Sequence, residues 1–164
     1  MAASSYKRLK KELEQLTDSQ DEYIQLDVAG EDWLKWICTI RGPPSSPFED
    51  YVFHLSVDVS ERYPIEPPRI RFLTKIFHPN VDFNSGEICL DVLKSTWSPA
   101  WSLQSACRAI QSIMSEPNAD SPLNVDAGNM VRHKDFAAFY STVQMYCKEY
   151  SYKIPTDLLV TNSS

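Results

Sequence analysis

The first apolar residues of the chain fall at helical spacing. Tyr6, Leu9, Leu13 and Leu16 recur every three or four positions, which predicts a helix over residues 5–17 with one apolar stripe. The period then shortens. Residues 23–28 alternate weakly, and residues 33–40 alternate cleanly, with Leu34, Trp36, Cys38 and Ile40 on one face. Residues 52–59 set Phe53, Leu55, Val57 and Val59 against His54, Ser56 and Asp58, and residues 69–73 form a fourth candidate strand. Turn formers separate the strands: Gly30, the run from Gly42 to Pro47, and Tyr63-Pro64 through Pro67-Pro68. Successive strands with short connections predict an antiparallel meander.

Between Lys75 and Trp101 neither period persists. A stretch of this kind in a compact domain is functional or disordered. Its content of Ile76, Phe77, Ile88, Leu90, Val92, Leu93, Trp97 and Trp101 argues for a packed loop. Helical spacing then returns. Ser102 can cap a helix reaching about Ser115, with Leu103, Cys107, Ile110 and Met114 on one face and Pro117 beyond it. A short helix is expected within residues 122–133. A last one starts at Asp135, aligns Phe139, Val143, Cys147 and Tyr150, and is stopped by Pro155. The expectation is a single α+β domain over residues 1–154, followed by a polar tail over 155–164.

Composition narrows the class. A chain of 164 residues fits one domain and can bury a core without metal or disulfide. The formal net charge of -6 opposes broad binding to nucleic acid or anionic membrane. No apolar run is long enough to span a bilayer, and the first residues lack the apolar core of a signal peptide. The four cysteines form no Cys-x-x-Cys pair, and the three histidines do not join them at zinc spacing. These features lead us to expect an intracellular protein with free thiols, no metal and no cofactor. Spacing alone leaves open whether Cys107 and Cys147 pair. Lys7, Arg8, Lys10 and Lys11 make the densest basic cluster, either a solvated helix face or a patch for an acidic partner.

Cys38, Cys107 and Cys147 sit on apolar faces and read as small buried hydrophobes. Cys89 belongs to no periodic element. It is either a core thiol between Ile88 and Leu90 or an accessible thiol for thioester chemistry. Asp82, Glu87 and Asp91 surround it, and no lysine or arginine lies within four residues. The cation or imidazolium that activates a hydrolytic cysteine is thus missing from its sequence neighbourhood. This suits exchange with an incoming thioester better than hydrolysis. His78, between Phe77 and Pro79, fits a structural hydrogen bond better than a general base. Asn80 can donate to the oxyanion of a thioester carbonyl, a role worth about 10²–10³ in rate. It can equally stabilise the turn that carries Cys89.

Several motifs occur together and in order. They are Ile40-Arg41-Gly42-Pro43 with Ser46-Pro47-Phe48, Tyr63-Pro64-Ile65-Glu66-Pro67-Pro68, His78-Pro79-Asn80-Val81, Gly86-Glu87-Ile88-Cys89-Leu90-Asp91, Trp97-Ser98-Pro99-Ala100, and Glu116-Pro117-Asn118 with Ser121-Pro122-Leu123. In this arrangement the chain resembles the ubiquitin-conjugating enzymes over nearly its whole length. The resemblance implies the family's α+β fold: an N-terminal helix, a four-stranded antiparallel meander and C-terminal helices. It implies that Cys89 accepts the ubiquitin C-terminus as a thioester from an activating enzyme, and that ubiquitin then passes to a substrate lysine or cysteine. Asn80 matches the family's asparagine, with His78, Asp120 and Ser121 in support. Lys7, Arg8 and Lys11 match positions that dock the activating enzyme. Ile65, Pro99 and Ala100 match the loops that grip a RING-type ligase.

The chain also departs from the family pattern. Ser121 stands where an acid that orients the incoming lysine is common, with Asp120 before it. Ile65 replaces a common phenylalanine, Asp50-Tyr51 replaces a frequent Gly-Gly, and the stretch from Asn80 to Cys89 is one residue longer than in many members. That longer loop and the run from Asp120 to Asn129 resemble the peroxisome-biogenesis branch of the family. Its enzyme is held on the cytosolic face of the peroxisomal membrane by a membrane-anchored partner, and it modifies cycling import receptors, including on cysteine. The alternatives are a general cytosolic or nuclear conjugating enzyme, or one for another ubiquitin-like modifier. A non-catalytic variant of the fold would lack the cysteine. A cysteine hydrolase using His78 or His133 would need an activated thiol.

Overall fold

The structure, a computed structural model, describes residues 2–153. Helix α1 covers Ala2–Ser19. Leu9 is buried, with Leu13 and Leu16 half-buried, as the stripe requires. Tyr6, expected in that stripe, is exposed, and polar Ser5 and Glu12 are buried instead. The reason is hydrogen bonding. Glu12 Oε1 accepts the Leu103 backbone N–H (2.7 Å). Its Oε2 accepts Tyr63 O–H (2.5 Å) and Arg8 Nε–H (3.0 Å). A buried carboxylate is tolerated only when its lone pairs are satisfied in this way.

Four strands follow as the expected meander: β1 (Ile24–Val28), β2 (Lys35–Arg41), β3 (Tyr51–Asp58) and β4 (Arg69–Phe72). The register pairs Leu26 with Cys38, Cys38 with Leu55, and Leu55 with Phe72. Side chains alternate along a strand, so this register places Trp36, Cys38, Ile40, Phe53, Leu55 and Val57 on one buried face. Leu73 lies outside β4 and is exposed. At the β2–β3 connection Asp50 takes φ +73°. Aspartate tolerates this left-handed position better than most residues.

Helix α2 (Leu103–Ser115) packs its Leu103, Ala106, Cys107, Ile110 and Met114 face into the core. The Cys107 thiol and burial together push the Cys38 thiol well above its ordinary value. All four cysteines are free, so Cys107 and Cys147 are not bridged. Helix α3 (Val125–Arg132) starts later than the expected residue 122, where Asn124 Oδ1 accepts the Ala127 N–H (3.1 Å). Helix α4 (Phe136–Tyr150) starts at the Asp135 cap, as expected. It buries Phe139, Val143 and Cys147, but leaves Tyr150 at the surface. It ends where Ser151 N–H and Oγ–H both donate to the Cys147 carbonyl (3.0 and 2.7 Å). Pro155 is therefore not its stop, and the expected tail over 155–164 lies outside the described residues. A two-residue strand β5 (Tyr152–Lys153), not expected, pairs with Tyr51 and Val52 of β3.

Ser102 and Ser105 cap α2 reciprocally. Ser102 Oγ accepts the Ser105 N–H (3.1 Å), and Ser105 Oγ accepts the Ser102 N–H (2.8 Å). Ser102→Ala should lower unfolding stability by about 1 kcal/mol in urea titration. An unshifted midpoint would show the cap to be idle.

Candidate active site

The aperiodic stretch proves to be ordered by its backbone bonds. Residues 81–88 fold into a tight hairpin: Val81 bridges Ile88, and the Asp82 N–H donates to the Glu87 carbonyl (2.9 Å). Asp82 Oδ1 closes the turn by accepting the N–H groups of Asn84 (3.0 Å) and Ser85 (2.7 Å). The hairpin lies on the edge of β4, where the Phe72 N–H donates to the Gly86 carbonyl (2.9 Å). Gly86 is required here for two reasons. Its φ is +76°, and a Cβ would stand 2.0 Å from the Phe72 carbonyl oxygen.

Cys89 follows the hairpin. Ile88 is buried and Cys89 is exposed, the alternation expected of extended backbone. Its N–H donates to the Asn80 carbonyl (2.8 Å). Beyond it, a 3-10 turn at Asp91–Leu93 buries Val92 and Leu93. The sulfur is thus presented outward on a backbone anchored on both sides.

Asn80 is 4% exposed. Its Nδ2 donates to the Asn118 carbonyl (2.8 Å), and its Oδ1 accepts the Asn118 N–H (2.9 Å). The amide carries a second Nδ2 hydrogen beyond this pairing. Asn118 also holds the next loop residue: its Oδ1 accepts the Asp120 N–H (2.9 Å). Asp120 and Ser121 are both exposed, and Ser121 sits at φ +50°. The Leu123 and Asn124 N–H groups both donate to the Pro79 carbonyl (2.9 and 3.2 Å). The 118–124 loop is therefore pinned to the turn that carries Asn80. Nothing in the Glu116-Pro117-Asn118 motif marks Asn118 as the partner of Asn80, since residues 38 positions apart in sequence meet only in the fold.

His78 is fully buried. Its Nε2–H donates to the Ile113 carbonyl (2.5 Å), and its Nδ1 accepts the Asn80 N–H (3.0 Å). Both ring nitrogens are occupied and the partners set the tautomer, which leaves no basic nitrogen facing Cys89. Burial pushes its pKa down to about 4.

The docking candidates separate into two groups. Lys7 and Lys11 are exposed. Arg8 is half-buried and engaged. It pairs with Glu12, its Nη2 donates to the Trp101 carbonyl (2.8 Å), and its guanidinium lies over the Tyr63 ring. Ile65, Pro99 and Ala100 are exposed on neighbouring loops. The Trp97 Nε1–H joins those loops by donating to the Pro64 carbonyl (2.9 Å). Periodicity could not reveal the Glu12–Tyr63–Arg8 network, because it reads a charged position as solvent-facing. Among the described residues no group of side chains is placed to hold a metal ion, and no helix is long and apolar enough to cross a membrane.

This site lies within a stretch, residues 8–147, that matches the family model described as ubiquitin-conjugating enzyme, and the chain belongs to that family. It is 50% identical over 147 residues to Protein PEROXIN-4 of Arabidopsis thaliana, covering 88% of this chain and 94% of that protein. It is 47% identical over 144 residues to the ubiquitin-conjugating enzyme E2 pex4 of Dictyostelium discoideum, covering 87% and 97%. Among solved structures it resembles the H. polymorpha ubiquitin-conjugating enzyme Pex4p, determined in complex with the soluble domain of Pex22p. The TM-score is 0.85 and the identity 36%, over 90% of this chain and 98% of that one.

Gly86→Ala should cost more than about 1 kcal/mol and speed hydrogen exchange at the Phe72 amide. Protection unchanged from wild type would contradict the close approach. His78 binds a proton in the unfolded chain below about 6.5 but resists it in the fold until about pH 4. Stability should therefore fall as pH drops through that window, by about 3 kcal/mol. His78→Gln should flatten this part of the stability–pH curve. An equal slope in both proteins would remove His78 as its source.

Proposed function

We propose that Cys89 carries ubiquitin as a thioester. The observation that supports this most directly is that Cys89 is the single exposed thiol of the four, on a backbone anchored to Asn80. Charging is a thiol exchange. The Cys89 sulfur attacks the carbonyl of ubiquitin held on the activating enzyme, and the enzyme's thiolate leaves. Discharge is attack by a substrate amine or thiol on the new thioester, with the Cys89 sulfur as leaving group. In each step negative charge develops on the carbonyl oxygen, and the second Nδ2 hydrogen of Asn80 is the donor assigned to it. Exposed Lys7 and Lys11 are the direct contacts for the activating enzyme. Arg8 acts through the loops it holds. Ile65, Pro99 and Ala100 form the surface for a RING-type ligase.

The peroxin-4 relatives support a place in peroxisome biogenesis, with import receptors as substrates. A substrate thiol ionises more readily than a lysine, so acceptance on cysteine fits Ser121 at the position where an acid is common. The relative determined with the soluble domain of Pex22p supports a membrane-anchored partner that holds this chain on the cytosolic face of the peroxisome.

Incubation with activating enzyme, ATP and ubiquitin should give an adduct that thiol reductants cleave. Cys89→Ala should abolish it, while Cys38→Ala, Cys107→Ala and Cys147→Ala should retain it wherever the fold survives. An adduct persisting in Cys89→Ala would overturn the assignment.

A further inference from the structure

Gly128 and Arg132 lie four residues apart on α3, one turn above the other on a single face. Both meet the 118–124 loop. A Cβ on Gly128 would stand 2.5 Å from Pro122 Cγ, so a glycine lets Pro122 close against the helix. One turn further, Arg132 Nη2 donates to the Ala119 carbonyl (2.9 Å). That face of α3 thus grips the loop at two points.

The second point bears on the site. The Ala119–Asp120 peptide unit is held at both of its polar groups. Its carbonyl accepts from Arg132, and its N–H donates to Asn118 Oδ1 (2.9 Å). Asn118 meets the Asn80 carboxamide through its own backbone N–H and carbonyl (2.9 and 2.8 Å). The Asn80 backbone carbonyl accepts the Cys89 N–H (2.8 Å). Hydrogen bonds and covalent bonds therefore run without a gap from Arg132 to the residue that anchors Cys89. Asn118 is exposed and belongs to no helix or strand, so its hold on Asn80 is only as firm as the loop that carries it.

Resting on the thioester reading, we infer that Arg132 is a positioning residue for the transfer. It anchors Asn118 to α3 and so fixes the plane of the Asn80 carboxamide. The second Nδ2 hydrogen of Asn80 then stays directed at the developing oxyanion. A donor fixed in advance stabilises that charge without having to be reoriented as it forms. Arg132 works through Asn118 and Asn80 and needs no contact with the reacting atoms. A cation in the last turn of a helix also complements the helix dipole. That role alone would act on the stability of α3 and leave the transfer rate as it is.

The full chain, charged with ubiquitin and freed of ATP, tests this by single-turnover discharge onto free cysteine. Arg132→Ala should slow discharge about fivefold, the loss expected from one hydrogen bond. Arg132→Lys keeps a donor and the charge, and should recover most of the rate. In an Asn80→Ser background, Arg132→Ala should cost less than about twofold, because the group it positions is gone. The Asn80 side-chain amide gives a second reading by NMR. Its Nδ2 hydrogens should exchange about fivefold faster in Arg132→Ala, with the Phe72 amide unchanged. This measurement decides the matter if Asn80→Ser does not fold. Unslowed discharge in Arg132→Ala, an undiminished cost in the Asn80→Ser background, or unaltered exchange at Asn80 would overturn the inference. Failure of the wild-type chain to charge at all would instead overturn the thioester reading.

Discussion

The pairing of the Asn80 carboxamide with both backbone groups of Asn118 organises everything around Cys89. It joins two loops that have no regular structure of their own. A hydrogen bond of this kind contributes about 1 kcal/mol net, but leaving a buried amide unpaired costs about 1–3 kcal/mol. The asymmetry makes the pairing a constraint more than a source of stability. The turn at 78–80 cannot move without uncovering polar groups, because His78 accepts the Asn80 N–H within the turn and donates to the Ile113 carbonyl on its far side. The Cys89 thiol is presented by backbone bonds, and nothing about its own side chain needs to be fixed.

A second constraint operates at the other end of the domain. Glu12 collects donors from α1, from Tyr63 and from the first residue of α2. Arg8 extends the same network to the Trp101 carbonyl. The surfaces proposed for the activating enzyme and for the ligase therefore share one buried carboxylate. A cluster that reads in sequence as four equivalent cations divides into exposed lysines and one arginine engaged inside the fold. Arginine suits that place because its planar fork can serve a carboxylate, a carbonyl and an aromatic face at once.

The peroxin-4 resemblance and the site geometry meet at the longer hairpin. Its turn is closed by Asp82 and seated against β4 through Gly86, and it carries Phe83 onto Tyr146 of α4. This aromatic contact thus joins a loop and a helix far apart in the chain. Ser121, in its left-handed conformation, stands exposed on the 118–124 loop.

Much of this was legible from the order of residues. Alternation in residues 33–40 and 52–59 marked the central strands, because a half-buried sheet imposes a period of two on any chain that forms it. Ser102 and Asp135 marked helix starts by their capping chemistry. Cys89 stood apart because no period claimed it. What periodicity could not supply was everything carried by polar groups meeting across long separations: the burial of Glu12 in place of Tyr6, the Asn80–Asn118 pairing, the short β5, and the packing of Cys38 on Cys107. Hydrophobic pattern records which face leaves water. It does not record which donors and acceptors find one another once that has happened, and those partners are chosen only when distant segments are brought within about 3 Å.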